Sequence, residues 1–233
     1  MTRDKRTLAV HAGTRRSQYS EMSEAIFMTQ GFVYESAEAA EARFEQAGED
    51  EFIYARYGNP TVRMFEERIA ALEGAEDGFA TASGMAAVHG ALAAMTQAGD
   101  HVVGADQLYG RTLRLMADDL PKFGVQTSLA DPTDASAIAA AIRPNTKMIV
   151  VEVVSNPTIR IADMEGIAAL CSDRGILLMI DNTFTSPRGY QPFDHGADIV
   201  IHSVTKLLAG HSDATLGYVV AKDAALMEKI NIA

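Results

Sequence analysis

Two short stretches of this chain carry reactive side chains where a binding crevice can use them. Ile176-Leu-Leu-Met-Ile-Asp-Asn-Thr183 and Asp198-Ile-Val-Ile-His-Ser-Val-Thr-Lys206 are apolar runs that turn polar at their C-terminal ends. A strand buried on both faces reads this way. The first run brings Asp181 to its strand end, and the second brings Ser203, Thr205 and Lys206. Ligands of open α/β sheets bind in the crevice at the carboxyl ends of the strands. A carboxylate and an amine there, 25 residues apart, suit pyridoxal phosphate. The lysine forms a Schiff base and the aspartate keeps the pyridine nitrogen protonated, which makes the ring an electron sink. Each residue alone has a plainer reading: Lys206 as an ordinary solvated lysine, Asp181 as a helix cap or loop ion pair. A carboxylate that ends an apolar strand must be paired or neutralised, and the two together point further than either singly.

Other segments offer partners for such a ligand. In Thr81-Ala-Ser-Gly-Met-Ala-Ala87 a strand turns into a helix, and Ser83, Gly84 and Met85 would present backbone N–H groups to an anion. Many helices start with a plain Ser cap, and that is the competing reading. Gly210 and His211 follow Lys206 and are further candidates to border a phosphate. Tyr109, in Tyr109-Gly-Arg111, either stacks on a flat cofactor or is an interior tyrosine. Tyr54 and Arg56 point the same way if their segment is extended, making a phosphate clamp; the alternative is a surface pair. Asn156, before Pro157, lies at the end of a strand on the same sheet edge, or is a turn residue.

These segments need a framework of strands and helices to bring them together. Residues 1 to 60 mix charged, Gly and aromatic residues, with one helical patch at 36–44, and read as an arm that packs on something other than its own core. From Thr61 a βα rhythm sets in. Helices are expected over 61–73, 85–97, 111–123, 135–142 and 164–174. Strands are expected over 78–81, 101–104, 125–129, 148–154, the two reactive runs and 216–221. Alternation of this kind predicts an α/β fold, a mostly parallel sheet sandwiched by helices.

Composition narrows the function further. A net charge of −11 leaves no basic field for nucleic acid or an anionic membrane. Three arginines and a lysine fall in the first 15 residues, but no apolar run follows them as a secretory signal requires. The apolar runs are too short to span a bilayer. The single cysteine, Cys171, fits a reducing cytoplasm and reads as a small buried hydrophobe in a helix. The six histidines include no pair at metal-ligand spacing, so no metal is expected. A P-loop and a GxGxxG fingerprint are both missing, which counts against nucleotides.

Taken in order, the motifs resemble those of the Cys/Met-metabolism PLP enzymes, the transsulfuration family of fold type I. They are Tyr54-x-Arg56, Tyr57-Gly-Asn-Pro-Thr61, Ser83-Gly-Met85, Tyr109-Gly110, Glu152-x-x-Ser-Asn-Pro157, Asp181-Asn-Thr183, Ser203-x-Thr-Lys206 and Gly210-His-Ser212. Each is common alone; the ordered set is specific and covers essentially the whole chain. The resemblance implies that Lys206 links the cofactor and shuttles protons, that Asp181 pairs with the pyridinium nitrogen, and that Tyr109 stacks over the ring. It implies that Gly84, Met85, Ser203 and Thr205 hold the phosphate, with Tyr54 and Arg56 from an adjacent subunit. Asn156 approaches the ring 3-hydroxyl, and Thr183 lies near the ring. A homodimer or homotetramer with shared sites follows from the same likeness.

Several stretches look most like O-succinylhomoserine sulfhydrylases: Ser23–Phe27, Tyr57–Arg63 and Phe65–Ala75. The expected reaction is γ-replacement on O-succinyl- or O-acetylhomoserine with a thiol or sulfide, giving homocysteine or cystathionine. Gamma-elimination is the alternative, although methionine γ-lyases usually carry a cysteine where Arg111 stands. The chain departs from the family at Val204, at Leu207 and at Val153-Val154. The family also continues into a C-terminal domain that supplies a substrate-binding arginine. The expected organisation is therefore an arm over 1–60, a PLP-binding domain over 61–233 and no C-terminal substrate domain. That leaves open a third reading, a cofactor-binding chain without catalysis.

Overall fold

The computed structural model describes residues 4–48 and 50–232. Arg3, part of the basic N-terminal run, and Ala233 lie outside the described residues. The chain divides into two compact units, Met1–Ala71 and Leu72–Ala233, so the division falls inside the first long helix rather than at residue 60.

The N-terminal unit holds α1 (Lys5–His11), α2 (Ala37–Glu45) and most of α3 (Pro60–Glu73). The sequence reading missed α1, which opens with Asp4 accepting a hydrogen bond from the Arg6 N–H at 2.8 Å. A polar N-cap starts a helix even where no apolar stripe announces it. Asn59 caps α3 by accepting the Thr61 N–H at 2.9 Å, and Pro60 sits at the first helical position, where its missing N–H costs nothing. Arg68 of α3 donates to the carbonyl of Ala12 at 2.9 Å. Asn59 donates to the carbonyl of Phe27, also at 2.9 Å. These bonds tie the irregular arm segments to α3.

The second unit is a seven-stranded sheet. Its strands are β1 (Gly78–Thr81), β2 (His101–Ala105), β3 (Gln126–Ala130), β4 (Thr146–Glu152), β5 (Leu177–Asp181), β6 (Ile199–His202) and β7 (Gly217–Ala221). Their order is β1-β7-β6-β5-β4-β2-β3. From β6 to β3 every pairing is parallel, while β7 runs antiparallel to both β6 and β1. Two reversals restore direction, so β1 ends at the same edge as β6. Every residue of β2, β6 and β7 is buried. Successive side chains point to opposite faces, so unbroken burial means that both faces are covered.

The helices are α4 (Gly84–Met95), α5 (Gly110–Arg114), α6 (Ala135–Ala141), α7 (Met164–Arg174), α8 (Ser186–Gly189) and α9 (Ala224–Ile232). The apolar face of α4, with Ala87, Val88, Ala91, Leu92 and Met95 buried, packs against β6 and β7. Burying a side chain such as Leu92 contributes about 1.5–3 kcal/mol. Helix α7 begins where Asp163 accepts the Gly166 N–H at 3.0 Å and stops at Gly175, whose φ is 63°. That left-handed cap favours glycine.

The element expected over 111–123 is not one helix. It is α5, then a π-helical turn (Leu115–Asp119) and a 3₁₀ turn (Leu120–Phe123). Pro121 explains the tightening at the end, since it cannot continue an α-helical hydrogen-bond ladder. The strand expected over 148–154 starts earlier and ends at Glu152.

Candidate active site

Five segments leave the carboxyl ends of β1, β2, β4, β5 and β6, and all of them reach one cavity of about 220 Å³. Its lining includes Ser83, Gly84, Met85, Tyr109, Asn156, Asp181, Thr183, Ser203, Thr205 and Lys206. Ten of the twelve residues expected to bind or act are thus gathered. Tyr54 and Arg56 belong to the N-terminal unit instead. Their segment is a turn at 55–57 rather than extended. The Arg56 guanidinium lies 5.1 Å from the ring centroids of both Tyr54 and Tyr57. The turn is closed by the Tyr57 and Gly58 N–H groups, which donate to the Tyr54 carbonyl at 2.8 and 3.2 Å, so the two side chains do not share one side of an extended segment.

The lysine and aspartate arrive by different routes. Asp181 is the last residue of β5, where Thr183 secures it: the Thr183 N–H donates at 3.0 Å and its hydroxyl at 2.5 Å, both to Oδ1. Thr183 in turn accepts the Ser203 N–H at 2.8 Å, which fixes the exit of β6 against that of β5. Lys206 follows in a tight turn. Its N–H donates to the Ser203 carbonyl at 3.1 Å, and its carbonyl accepts from Gly210 at 2.8 Å. The Lys206 side chain is exposed, and no ion pair of it is found among the described residues.

The start of α4 is built for close approach. Ser83 accepts the Ala86 N–H at 3.2 Å, leaving the first-turn N–H groups of Gly84 and Met85 for another acceptor. A Cβ at Gly84 would fall 2.6 Å from the Ser203 Cβ, so only glycine lets this helix end meet the β6 exit. Thr205 is less available than its position suggests. Its hydroxyl donates to the Leu216 carbonyl at 3.1 Å and accepts the Leu216 N–H at 3.0 Å, so its one proton is already committed. Gly210 lines an adjoining cavity with Thr205 and Lys206, and the His211 ring meets the Ala209 carbonyl at 2.9 Å.

Sequence reasoning quoted Glu152 within a motif but gave it no role, and missed Thr112, Phe184 and Thr215; all four line the cavity. Glu152 ends an apolar strand just as Asp181 does, and the same argument applied to β4 would have found it. It is 4% exposed, and its Oε1 accepts the Tyr109 N–H at 2.6 Å. Burial first, then the Asp181 charge, push its carboxyl up to about 7, against the pull of the Tyr109 and Asn156 N–H groups. Asp181 is also raised by burial, while Thr183 and the charge of His202 act in the opposite sense.

The residues present fit pyridoxal phosphate on three counts. An amine and a half-buried carboxylate share one cavity, a helix N-terminus with free N–H groups opens beside them, and Gly84 lets that helix end close onto Ser203. A mixed sheet ending in this arrangement defines the large domain of a fold type I PLP-dependent enzyme. The chain belongs to the Cys/Met metabolism PLP-dependent enzyme family, whose model matches residues 6–233. It is 43% identical over 225 residues to the O-succinylhomoserine sulfhydrylase of Pseudomonas aeruginosa, covering 96% of this chain and 55% of that protein. It is 40% identical to an L-methionine gamma-lyase of Fusobacterium nucleatum, covering 92% of this chain and 54% of that one. The chain spans about half the length of the curated relatives it matches.

Among solved structures it superposes on metB of Corynebacterium glutamicum with a TM-score of 0.92 at 35% identity, covering 99% of this chain and 58% of that one. A Campylobacter jejuni protein described as a putative O-acetylhomoserine (thiol)-lyase matches with a TM-score of 0.91 at 34% identity, covering 97% and 56%. That structure carries a pyridoxyl-lysine phosphate. Among the described residues no helix is long and apolar enough to cross a membrane, and no cluster of three or more metal-ligating side chains occurs.

Proposed function

We propose that this chain binds pyridoxal phosphate at Lys206 and belongs to an enzyme of γ-replacement. That enzyme would turn O-succinyl- or O-acetylhomoserine and a thiol or sulfide into homocysteine or cystathionine. The observation that carries the reading is the single cavity shared by Lys206, Asp181, Tyr109 and the N-terminus of α4. Bound there, the cofactor supplies an electron sink that acidifies the carbon next to a substrate amine.

The chain's own residues do the rest. Asp181 holds a proton on the ring nitrogen. Gly84 and Met85 give backbone N–H groups to the phosphate, with Ser83, Ser203 and Thr205 shaping its cradle. Tyr109 would stack on the ring, with Asn156 and Thr183 beside it, since all three line the cavity. Lys206 Nζ would take the proton from Cα of the bound substrate and then move protons at Cβ and at the leaving group.

The ester-displacing reading is supported by the likeness to the Pseudomonas sulfhydrylase. Gamma-elimination is supported by the likeness to the methionine gamma-lyases. We place the enzyme in the cytoplasm, which its single buried thiol supports. We also assign it to a homodimer or homotetramer in which Tyr54 and Arg56 serve a neighbour's site. Met28 and Val33, exposed at 94% and 95% in the N-terminal unit, support a surface meant to be covered.

The test is the visible spectrum of the chain with added pyridoxal phosphate. The wild-type chain should gain the band of the lysine-linked cofactor and Lys206→Ala should not; a band that survives in the variant removes Lys206 from the role. Homocysteine from succinylhomoserine plus sulfide, set against 2-oxobutanoate from methionine, separates replacement from elimination. A band indifferent to both substrates points to cofactor binding without catalysis.

A further inference from the structure

Two acidic side chains share this cavity, and their surroundings differ. Glu152 and Asp181 are register partners on the adjacent parallel strands β4 and β5, so their side chains leave the sheet on the same face. Asp181 accepts two hydrogen bonds from Thr183 on one oxygen. Glu152 accepts the Tyr109 N–H on Oε1, while its Oε2 is buried and has no hydrogen-bond partner. Donors aimed at a carboxyl favour its charged form, and a second nearby charge disfavours it. Burial disfavours charge on both carboxyls, and two neighbours cannot both keep full charge cheaply. The pair therefore holds one proton, seated on the oxygen that no donor among the described residues bonds, Oε2 of Glu152.

We infer that Glu152 is a positioning residue that holds one proton for the carboxyl pair: Oε1 anchors the turn carrying Tyr109, and the proton on Oε2 leaves the negative charge on Asp181. The other titratable groups lining the cavity are Lys206, after β6, and the Tyr109 phenol at the start of α5. His202, the last residue of β6, is hydrogen-bonded to Glu73 and counters the rise at Asp181. At the exit of β2, Asp106 is paired with Arg160 at 3.6 Å. Burial raises the midpoints of both Glu152 and Asp181, so it is the donor-free Oε2 of Glu152, and not the shifts, that places the proton.

The inference deepens the cofactor reading and rests on it for one point, that Asp181 must be negative to meet a protonated ring nitrogen. The proton on Glu152 is a property of the cofactor-free chain. There the proton spares the fold a buried anion one of whose oxygens, Oε2, is bonded by no donor.

The first measurement is therefore made without cofactor: the ¹³C side-chain carboxyl shift of Glu152 is followed against pH, assigned through the backbone of the wild-type chain. A midpoint near neutrality is expected, and a midpoint with the exposed glutamates overturns the inference. The second is a titration with pyridoxal phosphate at pH 7. Glu152→Gln, which imitates the protonated carboxyl, should keep the affinity within about twofold, and Glu152→Ala, which releases the Tyr109 turn, should lose about tenfold or more. If Gln is as damaging as Ala, a charged Glu152 is required and the inference falls. A near-neutral midpoint in a wild-type chain that takes up no cofactor would uphold the proton and defeat the cofactor reading instead.

Discussion

Nε2 of His202, at the end of β6, is hydrogen-bonded to Oε1 of Glu73, at the end of α3, and both side chains are fully buried. The same carboxyl oxygen accepts the side-chain N–H of Asn182 at 3.2 Å. Two of its members, Asn182 and His202, immediately precede Thr183 and Ser203 of the cavity. It locks the end of a helix to the exits of β5 and β6.

Removing His202 leaves the Glu73 carboxyl buried with only the Asn182 N–H, and removing Glu73 leaves the His202 ring buried with no partner among the described residues. Glu73→Ala and His202→Ala should each lower the unfolding free energy by about 3–5 kcal/mol. Urea denaturation of the single and double variants measures it. The double variant should cost clearly less than the sum, because the second truncation removes the orphan left by the first. A single truncation costing under about 1 kcal/mol would mean the pair is not holding these elements together.

Glu152 gives the chain a pH-dependent stability of known sign. In the unfolded chain its carboxyl loses its proton near the ordinary 4.5, and in the fold only at about 7. Between those values the unfolded state binds fewer protons, so stability falls as pH rises through that window. Asp181 is shifted in the same direction, and the Glu152→Gln comparison isolates the share of Glu152. From pH 4 to pH 8 the variant should gain about 3 kcal/mol relative to wild type, at 1.36 kcal/mol per pKa unit. Denaturation midpoints across that range report it, and parallel curves would contradict it.

Gly84→Ala tests the close approach at the start of α4. The added methyl meets the Ser203 Cβ at 2.6 Å and its Cα at 2.9 Å, both on an element that cannot swing away. Overpacking of this kind typically costs about 1–3 kcal/mol. The variant should also weaken pyridoxal phosphate binding more than stability, because the displaced helix end carries the N–H groups of the phosphate cradle. Thermal melts with and without cofactor separate the two effects.

Cys171 should be silent in the native chain. It is 3% exposed in α7, and burial pushes its thiol up to about 12, with the Asp198 charge adding to the shift. The thiolate is the reactive species. A disulfide reagent at pH 8 should therefore label it only after denaturant is added. Rapid labelling of the folded chain would show that α7 opens readily.

Local pattern determined a good deal of this protein. The unbroken apolar runs ending at Asp181 and before Ser203 are visible as doubly buried strands, because a strand covered on both faces has no polar position until it reaches the sheet edge. The same rule placed Tyr109, Asn156 and the Ser83-Gly84 turn at that edge, since strands alternating with helices run parallel and end together. Tertiary structure decided what pattern cannot express. The insertion of β7 between β1 and β6, the Glu73–His202 bond across 129 residues and the pairing of Glu152 with Asp181 are all non-local. So is the capture of the Thr205 hydroxyl by Leu216. Residue types and spacing set which side chains reach the edge of the sheet. Which of them meet there is set by strand order and packing, where burial and hydrogen-bond satisfaction over the whole core outweigh any local preference.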